Sequence, residues 1–413
     1  MPAFQYQLSN RIGPVTVEDY RRLARRAVPD MAWAYLDYGA EDMATMQANR
    51  SAFARYAFKR KVLTGNEASD LSTTIGGQQV ALPVILAPTG TVGLQHWEGE
   101  RGVAQAAERA GTLSIVSTVG SYSFEEVAEA TERDHYFQLY PWRDTASGRH
   151  DVTLSLIKRA QDAGYKAMFV TVDVPVIGNR QTERQRGLGN PPIITPLRVL
   201  NGALKPRWWI KFLQHQRIAS PNVIDNRRGA AAAVAALRKT YTMMRPELTW
   251  DDFAIMRDAW DGPVYIKGVL DAEDAVKAVD LGATGVVVSN HGGRQLDGDV
   301  AGLDALPAIA AAVGSRAEVL LDGGVRRGSD VVKALCLGAD AVLIGRPYLY
   351  GMAARGPAGV EHVIEIFTQE IRRTMTLMGV GRLSDLGPDW LLPANTPVPF
   401  DRPEPSSERK PSS

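Results

Sequence analysis

The nine residues from Ser289 to Asp297 read SNHGGRQLD and follow the apolar run GVVV. His291 stands three residues before Arg294, and the two glycines between them clear space, so a base sits beside a cation. That pairing suits an acidic substrate. A guanidinium holds a carboxylate in two places at once, while an imidazole takes a proton from the neighbouring carbon or its hydroxyl. Asp173, at the end of another apolar run, is placed to stabilise the resulting imidazolium. A single histidine in such a position is as readily structural, so its company decides the reading.

Two further stretches point to an anion. DGGVRRG, Asp322 to Gly328, and IGRP, Ile344 to Pro347, join glycines that let backbone N–H groups approach a ligand to Arg326 and Arg346, which pair with it. Tight turns with surface arginines are the alternative, but these stretches follow the seventh and eighth apolar runs, where a βα barrel carries its phosphate site. A phosphorylated ligand is expected. Polar residues end the other runs too: Thr89, Ser117, Gln138 with Tyr140, Thr171, Lys267, and Asn290 after Ser289. One polar strand end is usually a satisfied hydrogen-bonding group; a full set describes the mouth of a binding site.

Such a mouth needs a scaffold that brings the ends together. LPVILAP, TLSIVST, HYFQLY, AMFVTVD, PVYIKG, GVVVSN, EVLLDGG and AVLIGRP alternate with segments of helical period such as LSLIKRAQDAG and SDVVKALCLG. Eight βα repeats predict an α/β fold, a (β/α)8 TIM barrel spanning residues 81–392; an open doubly wound sheet is the other topology this pattern permits. Residues 1–80 read as a helical N-terminal cap of the same domain, with Thr16 and Asp19 as a weakened capping box. An insertion of about residues 174–246 follows the fourth strand and is too long for an ordinary βα connection. Residues 393–413, rich in proline, serine and charge, read as a disordered tail.

Composition narrows the partners. The chain has 413 residues, 45% of them apolar, and 47 basic against 46 acidic side chains, so the charge footprint of a general nucleic-acid binder is missing. Cys336 is the only cysteine, which excludes an internal disulfide and multi-cysteine metal sites and fits a reducing compartment. The start, MPAFQYQLSN, has no signal-peptide pattern, and no run is apolar enough to span a membrane. A cytoplasmic protein acting on small molecules, without a metal, is expected.

SNHGGRQLD, IKG at Ile266 to Gly268, and LDGGVRRGSDVVKALCLGADAVLIGRP together resemble the FMN-dependent 2-hydroxy acid oxidising family, which includes glycolate oxidase, lactate monooxygenase and mandelate dehydrogenase. The resemblance covers about residues 14–385. PTG at Pro88 to Gly90, LKPRWWIKF at Leu204 to Phe212 and LYGMAARG at Leu349 to Gly356 are most similar to the mandelate dehydrogenase branch. It implies oxidation of an L-2-hydroxy acid to the 2-keto acid by FMN, in a homotetramer, with oxygen or a quinone as electron acceptor. His291 would be the base, Asp173 its partner and Tyr140 the contact to the substrate hydroxyl, while Arg294, Arg180 and Tyr35 would meet the carboxylate. FMN would lie on Pro88, Thr89, Gly90, Ser117, Gln138, Thr171, Ser289, Asp322 and Lys267, the last stabilising negative charge on the reduced ring. Its phosphate would lie on Gly324, Arg326, Gly345 and Arg346.

Two positions depart from the oxidases. Gly90 stands where they have alanine, and Val119 where glycolate oxidase has tryptophan, so the resemblance implies a roomier pocket for an aromatic or longer substrate and a slow reaction with oxygen. A lactate or glycolate oxidase or monooxygenase using oxygen is the alternative, and a barrel lyase forming a Schiff base at Lys267 is a more distant one. Within the insertion, residues 197–217 mix tryptophan and phenylalanine with arginine and lysine. That mixture suits either a lid packed on the barrel or peripheral contact with the inner face of a membrane, as in the mandelate branch.

Overall fold

The computed structural model describes residues 13–68, 70–143, 147–224, 229–244 and 247–394, so the expected tail lies almost wholly outside the described residues. The β-branched runs form the barrel strands β1 (Val84–Leu86), β2 (Ile115–Ser117), β3 (Tyr136–Leu139), β4 (Ala167–Thr171), β5 (Val264–Val269), β6 (Gly285–Val288), β7 (Glu318–Asp322) and β8 (Ala341–Ile344). All eight lie in one sheet with each neighbouring pair parallel, and β8 returns to β1. A parallel bridge between Leu86 and Ser114 brings β1 against the start of β2 and closes the barrel. The open sheet is therefore excluded.

Closure buries both faces of every strand, which is why the runs are continuously apolar rather than alternating. Inward side chains such as Ile85, Phe169, Tyr265, Val287 and Leu343 form a core of their own inside the barrel. Phe169 stacks on Tyr265 with ring centroids 4.4 Å apart. A small hairpin, Thr73–Ile75 with Gln78–Val80, lies against this interior, where the Tyr136 hydroxyl donates to the Ile75 carbonyl at 2.5 Å. The second core joins the outer strand faces to the surrounding helices.

Three helices, Val17–Ala27, Asp30–Asp37 and Ala44–Ser51, precede the barrel. The first starts at a complete capping box: Thr16 Oγ1 accepts from the Asp19 amide at 3.1 Å, and the Asp19 carboxylate accepts from the Thr16 amide at 3.0 Å. Aspartate, shorter than the usual glutamate, still closes it. Between β4 and β5 the chain forms the helices Gln181–Gln185, Pro196–Ala203, Pro206–His215 and Ala230–Met243 before the barrel helix Trp250–Asp258. Among the described residues no helix is long and apolar enough to cross a membrane.

Candidate active site

Parallel register puts the strand ends at one level, so residues far apart in sequence become neighbours. Ser117 lies opposite Gln138, and Thr171 opposite Lys267. A cavity of about 640 Å³ opens at these C-terminal ends. Of the residues expected in the site, Tyr35, Pro88, Thr89, Gly90, Gln138, Tyr140, Thr171, Arg180, Lys267, His291, Arg294, Asp322, Gly324, Arg326, Gly345 and Arg346 line it, whereas Ser117, Asp173 and Ser289 stand one layer behind. Those three touch lining residues directly.

His291 has a left-handed backbone, φ 59°, a conformation histidine tolerates better than most side chains, and its amide donates to Ser289 Oγ at 3.0 Å. Its Nδ1 meets Asp173 Oδ1 at 2.9 Å, which leaves Nε2 as the ring nitrogen for the cavity. Burial holds the imidazole below its ordinary value of 6.5, although Asp173 pulls the other way. Burial also works against the Asp173 charge, but His291 and Lys267 outweigh it and keep the carboxyl below its usual range. The approach depends on Gly268, where φ is 106° and an added Cβ would come within 2.5 Å of Asp173.

Lys267 is buried. Burial alone would lower its pKa, but Asp322 at 2.9 Å and Asp173 raise it above the ordinary lysine value. Its Nζ also donates to Ser289 Oγ at 2.9 Å, and that hydroxyl donates on to Asp322 at 2.6 Å. A Schiff-base lysine must be a neutral amine, so a lysine held charged by two carboxylates argues against the lyase alternative.

Arg294 lies with its guanidinium 4.9 Å above the Tyr35 ring. Its Nη1 donates to the Tyr35 and Tyr38 carbonyls at 2.8 and 3.0 Å, and its Nη2 to Glu183 at 2.9 Å. Arg180 donates to the Arg294 carbonyl at 3.3 Å and to Gln295 at 3.2 Å, so the two arginines are coupled through one loop. Burial and the neighbouring Arg180 charge pull Arg294 below the ordinary arginine value. Two cations pressed together in a cleft favour an anionic ligand between them. Tyr140 is pushed up by burial and then by Asp173, so its phenol remains a proton donor.

Sequence reasoning missed three residues here. Glu183, the acidic partner of Arg294, lies three residues after Arg180, and nothing in its local sequence marks it. Asn49 exchanges side-chain hydrogen bonds with Asn290 at 2.7 and 2.9 Å and thereby anchors the His291 loop to the N-terminal cap. Asp297 accepts from the Ala44 and Thr45 amides at 3.1 and 2.8 Å, tying the far end of that loop to the start of the same helix.

Another stretch of the cavity wall is built for an anion, where the Arg346 guanidinium donates to the Gly292 carbonyl at 2.9 Å and shares the Tyr38 carbonyl with Arg294. Gly345 precedes the helix Arg346–Arg355, so the positive end of a helix faces the two arginines. Arg346 is drawn down to about 10 by burial, with the charges of Arg294 and Arg326 adding to the effect. Its Nε is buried without a partner. Elsewhere on the wall, Gln138 Nε2 and Thr171 Oγ1 are likewise buried and unpaired, although Gln138 Oε1 accepts from Ser117 Oγ at 2.8 Å. Unpaired buried polar atoms are costly, so these groups fit a ligand carrying both a polar ring edge and a phosphate.

A closed eight-stranded parallel barrel whose strand ends combine such a cradle with a buried histidine–aspartate pair and two arginines has the form of a cofactor-dependent enzyme. The family model for FMN-dependent dehydrogenases matches residues 24–393, and the chain belongs to that family. The chain is 40% identical to L-lactate oxidase of Nostoc over 92% of its length and 98% of that protein. It is 43% identical to L-lactate dehydrogenase of Caulobacter vibrioides, over 88% of the chain and 93% of the relative. Among solved structures, the monotopic membrane protein (S)-mandelate dehydrogenase superposes with a TM-score of 0.86 at 35% identity, covering 92% of this chain and all of that one. The protein is thus an FMN-dependent 2-hydroxy acid oxidoreductase, and FMN is the group that the cradle fits.

Proposed function

We propose that the protein oxidises a larger or aromatic L-2-hydroxy acid, such as mandelate, to its 2-keto acid. The observation that supports a large substrate is the cavity itself: beside Tyr35, Gly90 and His291 its wall is continued by the apolar side chains of Leu94, Val119 and Trp208. In this reading Arg180 and Arg294, with Tyr35 beside them, hold the carboxylate, and Tyr140 donates to the substrate hydroxyl. His291 Nε2 accepts the proton, and Asp173 balances the new charge at Nδ1. FMN, when bound, accepts the two electrons, and the charged Lys267 steadies the negative charge that accumulates.

Lactate or glycolate oxidation, with oxygen as acceptor, is the second reading, favoured by the names of the lactate-oxidising relatives. Anaerobic flavin-reduction rates decide between them: the first expects mandelate to outrun lactate, and a clear preference for lactate overturns it. The same experiment carries a pH test. The base works neutral, and burial lowers the His291 pKa, so the acid limb of kcat/KM should fall below pH 6.5. A limb above that value contradicts a buried base.

We also propose that the protein, in the cytoplasm, touches the inner face of a membrane through residues 197–217 and passes electrons to a quinone there. The stretch folds as two helices with divided faces. Trp208, Trp209 and Phe212 line the cavity, while Leu197, Leu204 and Ile210 are 77%, 68% and 53% exposed. Leu200 and Leu213 join that outward set, and Arg207 and Lys211 stand among them. Replacing the five outward aliphatic residues with glutamine should abolish sedimentation with anionic liposomes at low salt while leaving flavin reduction unchanged. If the unaltered protein does not sediment, the stretch is a lid only.

A further inference from the structure

The cavity does not end at the catalytic groups. Beyond Gly90 and Val119 it runs under the insertion, where Val199, Trp209 and Phe212 form one wall and Val234, Leu237 and Tyr241 another. These side chains come from the helices Pro196–Ala203, Pro206–His215 and Ala230–Met243, so the insertion builds an apolar arm onto a polar site. Gly202 lets the first two of these helices pack closely: a Cβ there would press on the Trp209 ring at 3.2 Å. Trp208 fixes the inner end by donating its indole N–H to the Leu94 carbonyl at 2.9 Å and stacking on Phe212, with centroids 4.6 Å apart.

Polar satisfaction divides the cavity sharply. Among the described residues, the buried unpaired polar atoms on its walls belong to Gln138, Thr171 and Arg346, all at the barrel end. Three polar side chains in the arm are bonded within the protein. Thr240 donates to the Ala236 carbonyl at 2.9 Å, Ser220 to the Val119 carbonyl at 3.0 Å, and Arg198 to the Ile193 and Gln185 carbonyls at 2.9 and 3.0 Å. The arm therefore offers its occupant mainly apolar surface, with the Tyr241 hydroxyl on one wall. Ile194 and Tyr241 line the cavity and yet are 64% and 41% exposed, so the arm reaches the protein surface at both.

We propose that this arm binds the hydrocarbon chain of the substrate, so that among the larger 2-hydroxy acids those of medium to long chain outrun mandelate, which fills only the arm's inner end, as mandelate outruns lactate. The inference rests on the 2-hydroxy acid reading and deepens it. With the carboxylate on the arginines and the α-carbon beside His291, the substituent on that carbon points past Gly90 and Val119. The arm begins there. An extended chain lies along the wall formed by the Ala230–Met243 helix and leads toward the exposed mouth.

The test uses the FMN-loaded enzyme and anaerobic stopped-flow flavin reduction with L-2-hydroxy acids of three, four, six, eight and twelve carbons, with mandelate alongside. Each methylene moved from water into an apolar arm is worth about a fourfold gain in the apparent second-order rate constant, until the arm is filled. The expected series rises by about two orders of magnitude or more between lactate and 2-hydroxyoctanoate, which then exceeds mandelate. Ala233→Trp, placed in the arm, should flatten the rise so that 2-hydroxyoctanoate falls to the level of 2-hydroxybutanoate; bound-flavin absorbance shows that the variant has folded. A series that is flat or falling beyond four carbons, while lactate or mandelate still bleaches the flavin, overturns the chain-binding arm alone. Should no 2-hydroxy acid bleach the flavin, the parent reading falls and this one with it.

Discussion

His291→Asn should retain FMN and lose substrate-driven flavin reduction by about 100-fold to 10,000-fold, the range for removing a general base. Asparagine keeps a polar group near Asp173 but has no nitrogen that takes up a proton at neutral pH. Burial and the Asp173 contact at 2.9 Å leave the imidazole one free nitrogen, since Nδ1 is committed and only Nε2 remains for the cavity. Stopped-flow absorbance measures the loss, and the flavin spectrum shows that the fold is intact. Near-normal reduction in the variant would make His291 a structural residue.

Arg180→Met and Arg294→Met should each weaken substrate binding by about 2 to 5 kcal/mol, the cost of taking one charged partner from a buried carboxylate. They should differ otherwise. Arg294 is bonded to two backbone carbonyls and to Glu183, so its loss strands a buried carboxylate and lowers the melting temperature as well. Arg180 makes only longer bonds to the Arg294 carbonyl and Gln295, so its replacement should cost affinity with little change in stability. Substrate titration of the flavin spectrum and thermal melts separate the two effects. Equal losses of stability, or unchanged affinity in either variant, would contradict the division.

The barrel was legible because each strand is both apolar and abruptly polar at its end. Burial on two faces demands continuous β-branched runs, and a ligand at the mouth demands that they stop, so GVVV followed by SNH marks a strand and its exit together. The glycine and arginine stretches after β7 and β8 were legible for the same reason. Partners that meet only through the fold were not. Glu183 and Arg294 are 111 residues apart, and Asn49 and Asn290 are 241 apart, with nothing local to link them. The resemblance implies Asp322 as a ligand contact; it lines the cavity but also serves as counter-ion to Lys267, a pairing that depends on the closeness of β5 and β7 inside the closed barrel. The residues from 197 to 217 read as one amphipathic stretch, and the break at Lys205 and Pro206, which turns the aromatics inward and the leucines outward, follows from the three-dimensional path of the insertion.

The central claim is that this chain uses FMN to oxidise a 2-hydroxy acid at a site centred on His291. The most direct measurement mixes the purified yellow protein, without oxygen, with an excess of an L-2-hydroxy acid, and follows the flavin absorbance while the product is assayed chemically. The flavin should bleach in a single turnover, with the 2-keto acid appearing mole for mole with the FMN reduced. A flavin that stays oxidised with every 2-hydroxy acid, or that bleaches without yielding the 2-keto acid, would contradict the account.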